Sequence, residues 1–414
     1  MLGSITIRGF KSIVEAEIEL GRLNVFIGAN GSGKSVVLEA IGVLGAAADG
    51  RVDDASLLRR GVRPGVPALY KNAFAHHDIP RVITFNARSN EAVPVVYDVS
   101  LDNPIEHGGT PWRFTHELLA VGTGKRTRKY VSRGPGGAKL WGARGKTQSF
   151  KPKDPTRSVA DTPNPLGEPP DAVRRFMDRL MNYAIYDPQT PILRGIVTEE
   201  NPLHPLGLGG GRLTDALFSL LMGESPGIDA VQAAFHNLIG WAQDVNLGWT
   251  QDVNLGAVLP PATPQPKLLV HFVDRFMRKG RNTLSANDAS EGALYVLFAL
   301  ILLHHELAPR TFAIENIDHA LHPRLARKLV EVISSQLKEH DRQVLLTTHN
   351  PLVLDALDLR DDDVRLFTVD RDKHGPTVIR RLAFTEALRK AQESGLTLSQ
   401  MWTRGLIGAV PNIL

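Results

Sequence analysis

Residues 28–35 read Gly28-Ala29-Asn30-Gly31-Ser32-Gly33-Lys34-Ser35, a full match to the spacing G-x-x-x-x-G-K-[ST]. A glycine-rich turn of this kind exposes successive backbone N–H groups that cradle the α- and β-phosphates of a nucleotide. Lys34 then reaches the β- and γ-phosphates, and the Ser35 hydroxyl ligates Mg2+. Two later stretches supply complementary chemistry. Thr311-Phe312-Ala313-Ile314 is an apolar run ending in Glu315-Asn316, where a carboxylate supports the metal shell and the next residue positions the attacking water. Val344-Leu345-Leu346-Thr347-Thr348 is a second buried run ending in His349, which can reach a γ-phosphate. The implied ligands are ATP and Mg2+. Asn30, Gly31, Ser32, Gly33, Lys34 and Ser35 surround the phosphates, and Ser35 and Glu315 stand on the metal side.

One residue type does not suit fast hydrolysis. Asn316 carries an amide, which orients a water but cannot take its proton at neutral pH. Loss of a general base costs about 10²–10⁴ in rate. Asp318, two residues on, is the carboxylate available as a substitute. Slow turnover is the expectation, with ATP acting largely as a conformational ligand.

These groups need strands and helices to hold them. Leu23–Ile27 reads as a buried strand and Val36–Leu44 as a helix that aims its N-terminus at the phosphates. Residues 1–27 read as strands that alternate up to the strand before the glycine loop, and 81–101 again alternates, as in an antiparallel sheet added to the nucleotide-binding core. Asp171–Met181, Thr214–Met222 and Asp229–Trp241 read as helices. Beyond residue 267, Leu268–Phe272, Thr311–Ile314 and Gln343–Thr347 read as strands alternating with helices at 290–304, 323–338 and 351–357, which implies a parallel sheet. Arg365–Arg381 reads as a hairpin around Asp372-Lys373-His374-Gly375. Residues 132–170, rich in Gly, Pro and Ser, read as a long loop or partly disordered segment. The octapeptide at 241–248 recurs nearly unchanged at 249–256, and no function is assigned to it.

The 414 residues allow two or three compact units, and 43% apolar with 22% charged residues is ordinary for a globular chain. No run of about eighteen apolar residues exists, so no membrane helix is expected. The N-terminus begins with a strand-like segment rather than a signal peptide, and the absence of cysteine excludes disulfides and thiol catalysis, which suits a cytoplasmic protein. The net charge of +4 is uneven. Gly122 to Arg157 holds eleven Lys/Arg and one acid, with Tyr130, Trp141 and Phe150 between them. Lys125, Arg126, Arg128 and Lys129 head a stretch suited to a nucleic-acid backbone, or else to a solvated loop.

In order along the chain, five stretches resemble the ABC-type ATPase heads of the SMC/RecF group, above all compact bacterial members related to OLD-type nucleases. They are Arg8–Ser12, the 28–35 octet, Leu284–Gly292, Ile314–Pro323 and Thr347–Pro351; Leu398–Trp402 resembles the tail of such heads. The resemblance implies an α/β ABC-type P-loop NTPase head: a mixed sheet with helices on both faces, an antiparallel β subdomain and a helical insert. Expected boundaries are an N-terminal ATPase lobe at 1–165, a helical insert at 166–262, a C-terminal lobe at 263–395 and a tail at 396–414.

The resemblance also implies that two heads sandwich ATP. The signature residues Ser290, Glu291 and Gly292 of one chain would complete the phosphate site of the other, and Leu321 and His322 would form the D-loop. Ser290 reads equally as a helix N-cap. Glu315, Asn316, Asp318 and His349 would be the catalytic set. Related heads also carry Glu-Asn at the Walker B position. No long heptad region is present, and the residues after Asp370-Arg371-Asp372 are too few for a Toprim nuclease. The implied role is a homodimer or higher oligomer that controls a separate effector, such as a nuclease or toxin, in anti-phage defence. A repair ATPase acting directly on DNA and a non-hydrolysing ATP-gated scaffold are the alternatives.

Overall fold

The computed structural model describes residues 1–103, 110–124, 127–142, 145–200, 203–223, 227–249 and 268–409. The N-terminal half supplies β1 (Leu2–Phe10), β2 (Ile13–Glu19), β3 (Leu23–Ile27), α1 (Lys34–Ala48), α2 (Asp54–Leu58), β4 (Ile83–Ser89), β5 (Val95–Asp102), β6 (Arg113–Val121), β7 (Arg128–Gly134), β8 (Gly137–Trp141) and β9 (Thr147–Phe150). The middle supplies α3 (Asp171–Met181), β10 (Ala184–Tyr186), α4 (Thr190–Leu193), α5 (Leu213–Leu221), α6 (Ile228–Leu238) and β11 (Ala242–Trp249). The C-terminal part supplies β12 (Leu268–Asp274), β13 (Thr283–Ser285), α7 (Glu291–His304), β14 (Thr311–Ile314), α8 (Pro323–Gln336), β15 (Gln343–Thr348), β16 (Val364–Arg371), β17 (Thr377–Leu382), α9 (Glu386–Glu393) and α10 (Leu398–Thr403).

The central sheet has the order β10-β14-β15-β3-β16-β17, parallel except for the β16–β17 hairpin. Its strands alternate between two cores because side chains switch face at every residue. Leu23, Val25, Ile27, Phe312, Ile314, Val344 and Leu346 pack with α7 and α8 on one face. Phe26, Ala313, Leu345, Phe367 and Val369 pack with α1 and α3 on the other. α7 is buried nearly all round, so it runs through the first core rather than over its surface. Gln343, fully buried, binds the sheet to the N-terminal strand: its Nε2 donates to Leu2 O and Gly21 O, each at 2.7 Å.

An eight-stranded antiparallel sheet, β2-β1-β4-β5-β6-β7-β8-β9, covers the α1 side. It corrects the expectation for 132–170, which contains the end of β7, all of β8 and all of β9. The following segment makes one isolated bridge, Arg157 to Arg51, and is held further by a carboxylate. Glu117, 0% exposed, accepts from Tyr97 Oη (3.0 Å), Ser158 Oγ (2.5 Å), Val159 N (2.7 Å) and Ala160 N (3.2 Å). Composition reports only the glycines and prolines of such a segment, not the distant acid that orders it.

A second correction concerns Leu268–Phe272. That strand lies outside the parallel sheet, in a separate antiparallel sheet β11-β12-β13. Apolar runs identify a buried strand without saying which sheet takes it. The expected helix 229–241 ends at Leu238, and the first octapeptide copy forms β11. Beyond Trp249 the second copy lies outside the described residues, as do Lys125 and Arg126. Residues 351–356 form a short 3-10 helix.

Candidate nucleotide-binding site

β3 delivers the glycine loop directly onto α1. Gly31 (φ 74°) and Gly33 (φ 111°) adopt the left-handed conformation that L side chains resist. A Cβ on Gly33 would meet Thr377 Oγ1 at 2.3 Å, and one on Gly28 would meet Val369 O at 2.2 Å. The hairpin β16–β17 thus presses against the loop, and only glycine fits. Within this turn the Ser32 hydroxyl is buried and has no partner. Lys34, 7% exposed, donates from Nζ to Gly28 O (2.9 Å) and Ala29 O (3.1 Å). Burial pushes its pKa down to about 8, against the opposing pull of Glu315 and Asp318.

β14, the strand that leads into Glu315-Asn316, lies two strands from β3, with β15 between them. Glu315 N donates to Tyr186 O at 2.8 Å, and the Ser35 hydroxyl donates to Glu315 Oε1. Asn316 has φ 51°, a left-handed turn that asparagine tolerates better than most residues, and its N–H donates to Thr347 Oγ1 at 2.8 Å. Asp318 is turned toward the end of β15: its Oδ1 accepts from Thr348 Oγ1 (2.7 Å) and His349 N (3.3 Å). Burial, then the nearby Lys34 charge, lowers the His349 pKa, so the neutral imidazole is favoured.

A cavity of about 330 Å³ is lined by Asn30, Gly31, Gly33, Lys34, Ser35, Glu315, Asn316 and His349. Ser32 and Asp318 are not on its wall. A larger cavity, of about 630 Å³, opens elsewhere among residues such as Arg59, Arg175 and Arg310 and contains none of the phosphate-loop residues. The smaller one is the candidate site because the chemistry converges there.

Its wall also includes Ser12, from the Arg8–Ser12 stretch, and Val36, Arg63 and Arg371, which carry no motif of their own. Arg371 Nε donates to Gly31 O at 3.0 Å, so the β16–β17 hairpin bears on the loop. Arg63 Nε and Lys11 Nζ are both held by Glu39 of α1, at 2.8 and 2.7 Å. Glu39 is 2% exposed, and a buried carboxylate with two cations is the satisfied arrangement. The Arg8–Ser12 stretch already held Lys11, and a glutamate four residues past Ser35 was the local hint that a buried acid stands opposite it.

The signature residues sit apart from this cavity in the same chain. Ser290 caps α7, its Oγ accepting from Ala293 N at 3.3 Å, and its side chain remains exposed. Glu291 accepts from Thr190 Oγ1. A Cβ on Gly292 would lie 3.3 Å from Ala320 O and 3.5 Å from Leu321 Cδ2, so the start of α7 packs on the segment after Walker B. His322 caps α8 by accepting from Arg324 N at 3.3 Å. Arg128 and Lys129 lie exposed on β7, with the Arg128 guanidinium 5.3 Å from the centre of the Tyr130 ring.

Comparison with known proteins decides the fold. A crystal structure of an SMC head bound to the C-winged helix domain of ScpA superposes with a TM-score of 0.55, covering 94% of this chain and 99% of that one at 13% identity. The chain has the fold of an SMC/RecF-type ABC ATPase head. The family described as "AAA domain, putative AbiEii toxin, Type IV TA system" matches residues 170–355 of this head, and the family "AAA ATPase domain" matches residues 1–76. The DNA replication and repair protein RecF of Magnetococcus marinus is 45% identical over 64 residues, which is 15% of this chain and 17% of that protein. The head therefore spans only a small part of that curated relative. Among the described residues, no helix is long and apolar enough to cross a membrane.

Proposed function

We propose that this head binds ATP with Mg2+ at the 330 Å³ cavity, closes on a second copy around the nucleotide, and uses that state to control a separate effector. The observation that carries the reading is the meeting of Lys34, Ser35, Glu315 and His349 at one cavity, with the Ser35 hydroxyl on the Glu315 carboxylate. The donor set fits magnesium: one hydroxyl and one carboxylate, both hard oxygen ligands, with room left for phosphate oxygens and water. Bound there, Mg2+ would neutralise charge on the β- and γ-phosphates. Lys34 supplies a second positive charge, and the unpartnered Ser32 hydroxyl is one further polar group in the same turn.

The exposed Ser290, which is not on the wall of its own chain's cavity, supports completion of the site by a second head. Hydrolysis is slow in this reading, because Asn316 replaces a general base and Asp318 is engaged by Thr348. The effector is a nuclease or toxin of anti-phage defence; the match to a family described in toxin–antitoxin terms supports that direction. That a similar SMC head is recorded with ScpA supports control of a separate protein. Direct action on DNA is a second reading, supported by the cation–ring pairs Arg128/Tyr130 and Lys139/Trp141 on β7 and β8.

Light scattering of the purified head, with and without ATP and Mg2+, tests the proposal. The expected result is a monomer that doubles in mass with ATP, fails to do so as Lys34→Ala, and binds ATP without doubling as Ser290→Arg. Doubling that is indifferent to nucleotide would remove the ATP-gated model. Co-purification with the products of neighbouring genes, with and without ATP, then tests for an effector.

A further inference from the structure

The turn joining β12 to β13 carries a pattern that the nucleotide site does not use. Residues 275–281 read Arg275-Phe276-Met277-Arg278-Lys279-Gly280-Arg281, with four cations and no acid. All seven are exposed, and Phe276 is 78% exposed. A flat ring held outward on a short turn, beside exposed cations, offers a stacking surface to a partner.

The turn is built rather than loose. Asp274 N donates to Asn282 O (2.7 Å), Phe276 N to Asp274 Oδ1 (2.7 Å) and Arg281 N to Arg278 O (2.9 Å). Arg275 is tied to the base of the hairpin, its N–H donating to Trp241 O at 3.0 Å and its Nη2 to Ala242 O at 3.2 Å. Its guanidinium lies 6.0 Å from the Phe276 ring centre, leaving the ring beside a fixed positive charge. Among the described residues, Arg278, Lys279 and Arg281 have no ion-pair partner.

Exposed cations around a projecting aromatic ring match a polyanion that also offers flat faces. A membrane surface matches less well, since one turn with two apolar side chains buries too little to anchor without an amphipathic helix. Single-stranded nucleic acid supplies both features: phosphates for the cations and unstacked bases for the ring.

We propose that the β12–β13 tip is a single-stranded nucleic-acid contact, with Arg278, Lys279 and Arg281 on phosphates and Phe276 stacked on a base. This goes beyond the ATP-gated reading and does not depend on it. β13 ends at Ser285, five residues before Ser290, so the contact sits on the strand that leads into the signature helix.

The test is fluorescence anisotropy of a 20-nucleotide single-stranded DNA with the full chain, without nucleotide, across a salt series. Phe276→Ala should weaken binding about 5- to 150-fold, the span that base stacking contributes. Neutralising Arg278, Lys279 and Arg281 together should reduce the slope of log affinity against log salt by about 2. Both variants should bind ATP as the parent does, which reports that they fold. The blunt duplex of the same sequence should be less sensitive to Phe276→Ala. The proposal is overturned if the oligonucleotide does not bind at low salt, or if Phe276→Ala binds it as well as the parent. It is also overturned if Arg128→Ala with Lys129→Ala abolishes binding while tip variants leave it intact. Tip-dependent binding to phosphatidylserine vesicles with no DNA binding would show a membrane contact instead.

Discussion

The Ser35 hydroxyl donates to the Glu315 carboxylate, joining two residues 280 positions apart in the chain. The contact exists because β3 and β14 both pair with β15, which brings the loops at their carboxyl ends side by side. These two oxygens are the proposed protein side of the magnesium shell. Ser35→Ala and Glu315→Gln should each weaken ATP binding at least tenfold in Mg2+ and leave it almost unchanged in EDTA. Calorimetric titration under both conditions checks this; equal loss in EDTA would place neither residue at the metal.

Lys34 should be essential to phosphate binding and should make it pH-dependent. Removing a charged hydrogen-bond donor through Lys34→Ala should cost about 10- to 150-fold in ATP affinity. The buried ammonium loses its proton near pH 8, well below the usual lysine range. Below that pH it is charged and binding is complete. Above it, free protein must first take up a proton, so affinity should fall by up to about tenfold per pH unit. Affinity that stays flat from pH 7 to 10 would contradict the role given to Lys34.

Asn316 is set in a left-handed turn at φ 51°. Asn316→Glu should cost about 1 kcal/mol in stability, since glutamate lacks asparagine's tolerance of that conformation. The same change restores a carboxylate facing the cavity and should raise turnover, measured as released phosphate. The parent should turn over well below about 10 s⁻¹, the middle of the enzyme range. A faster parent, or a variant with unchanged turnover, would show that Asn316 does not limit the chemistry.

Glu117 should govern the order of the segment after β9. Glu117→Ala leaves the donors of Tyr97, Ser158, Val159 and Ala160 without their buried acceptor. A loss of about 3 kcal/mol is expected, concentrated locally. Limited proteolysis should cut between 150 and 170 in the variant and not in the parent, while ATP binding persists. Equal resistance in both would mean that the segment is held by its other contacts.

What was legible in the sequence is what depends on a few adjacent residues. The glycine loop is local: seven intervals of backbone carry the turn, the lysine and the serine, so spacing alone revealed them. β14 and β15 were readable because each is an apolar run cut off by polar residues. Four-residue β14 was placed to the residue, whereas three-residue β10 passed unseen, too short to show a period. The positions of Arg63 and Arg371 at the cavity were not readable, because they arrive through Glu39 and through the β16–β17 hairpin.

By itself the sequence determined the phosphate cradle, the order of the ATPase motifs and the alternation of strand and helix. Only the tertiary structure decided that β12 leaves the parallel sheet, that Glu117 orders a proline-rich segment, and that Asp318 turns to Thr348. It alone decided, too, that Ser290 stays outside its own chain's cavity. The physical reason is reach: turn and strand preferences act between neighbours in the chain, whereas sheet order and buried charge pairing are settled between residues far apart, where burial leaves each polar group few partners.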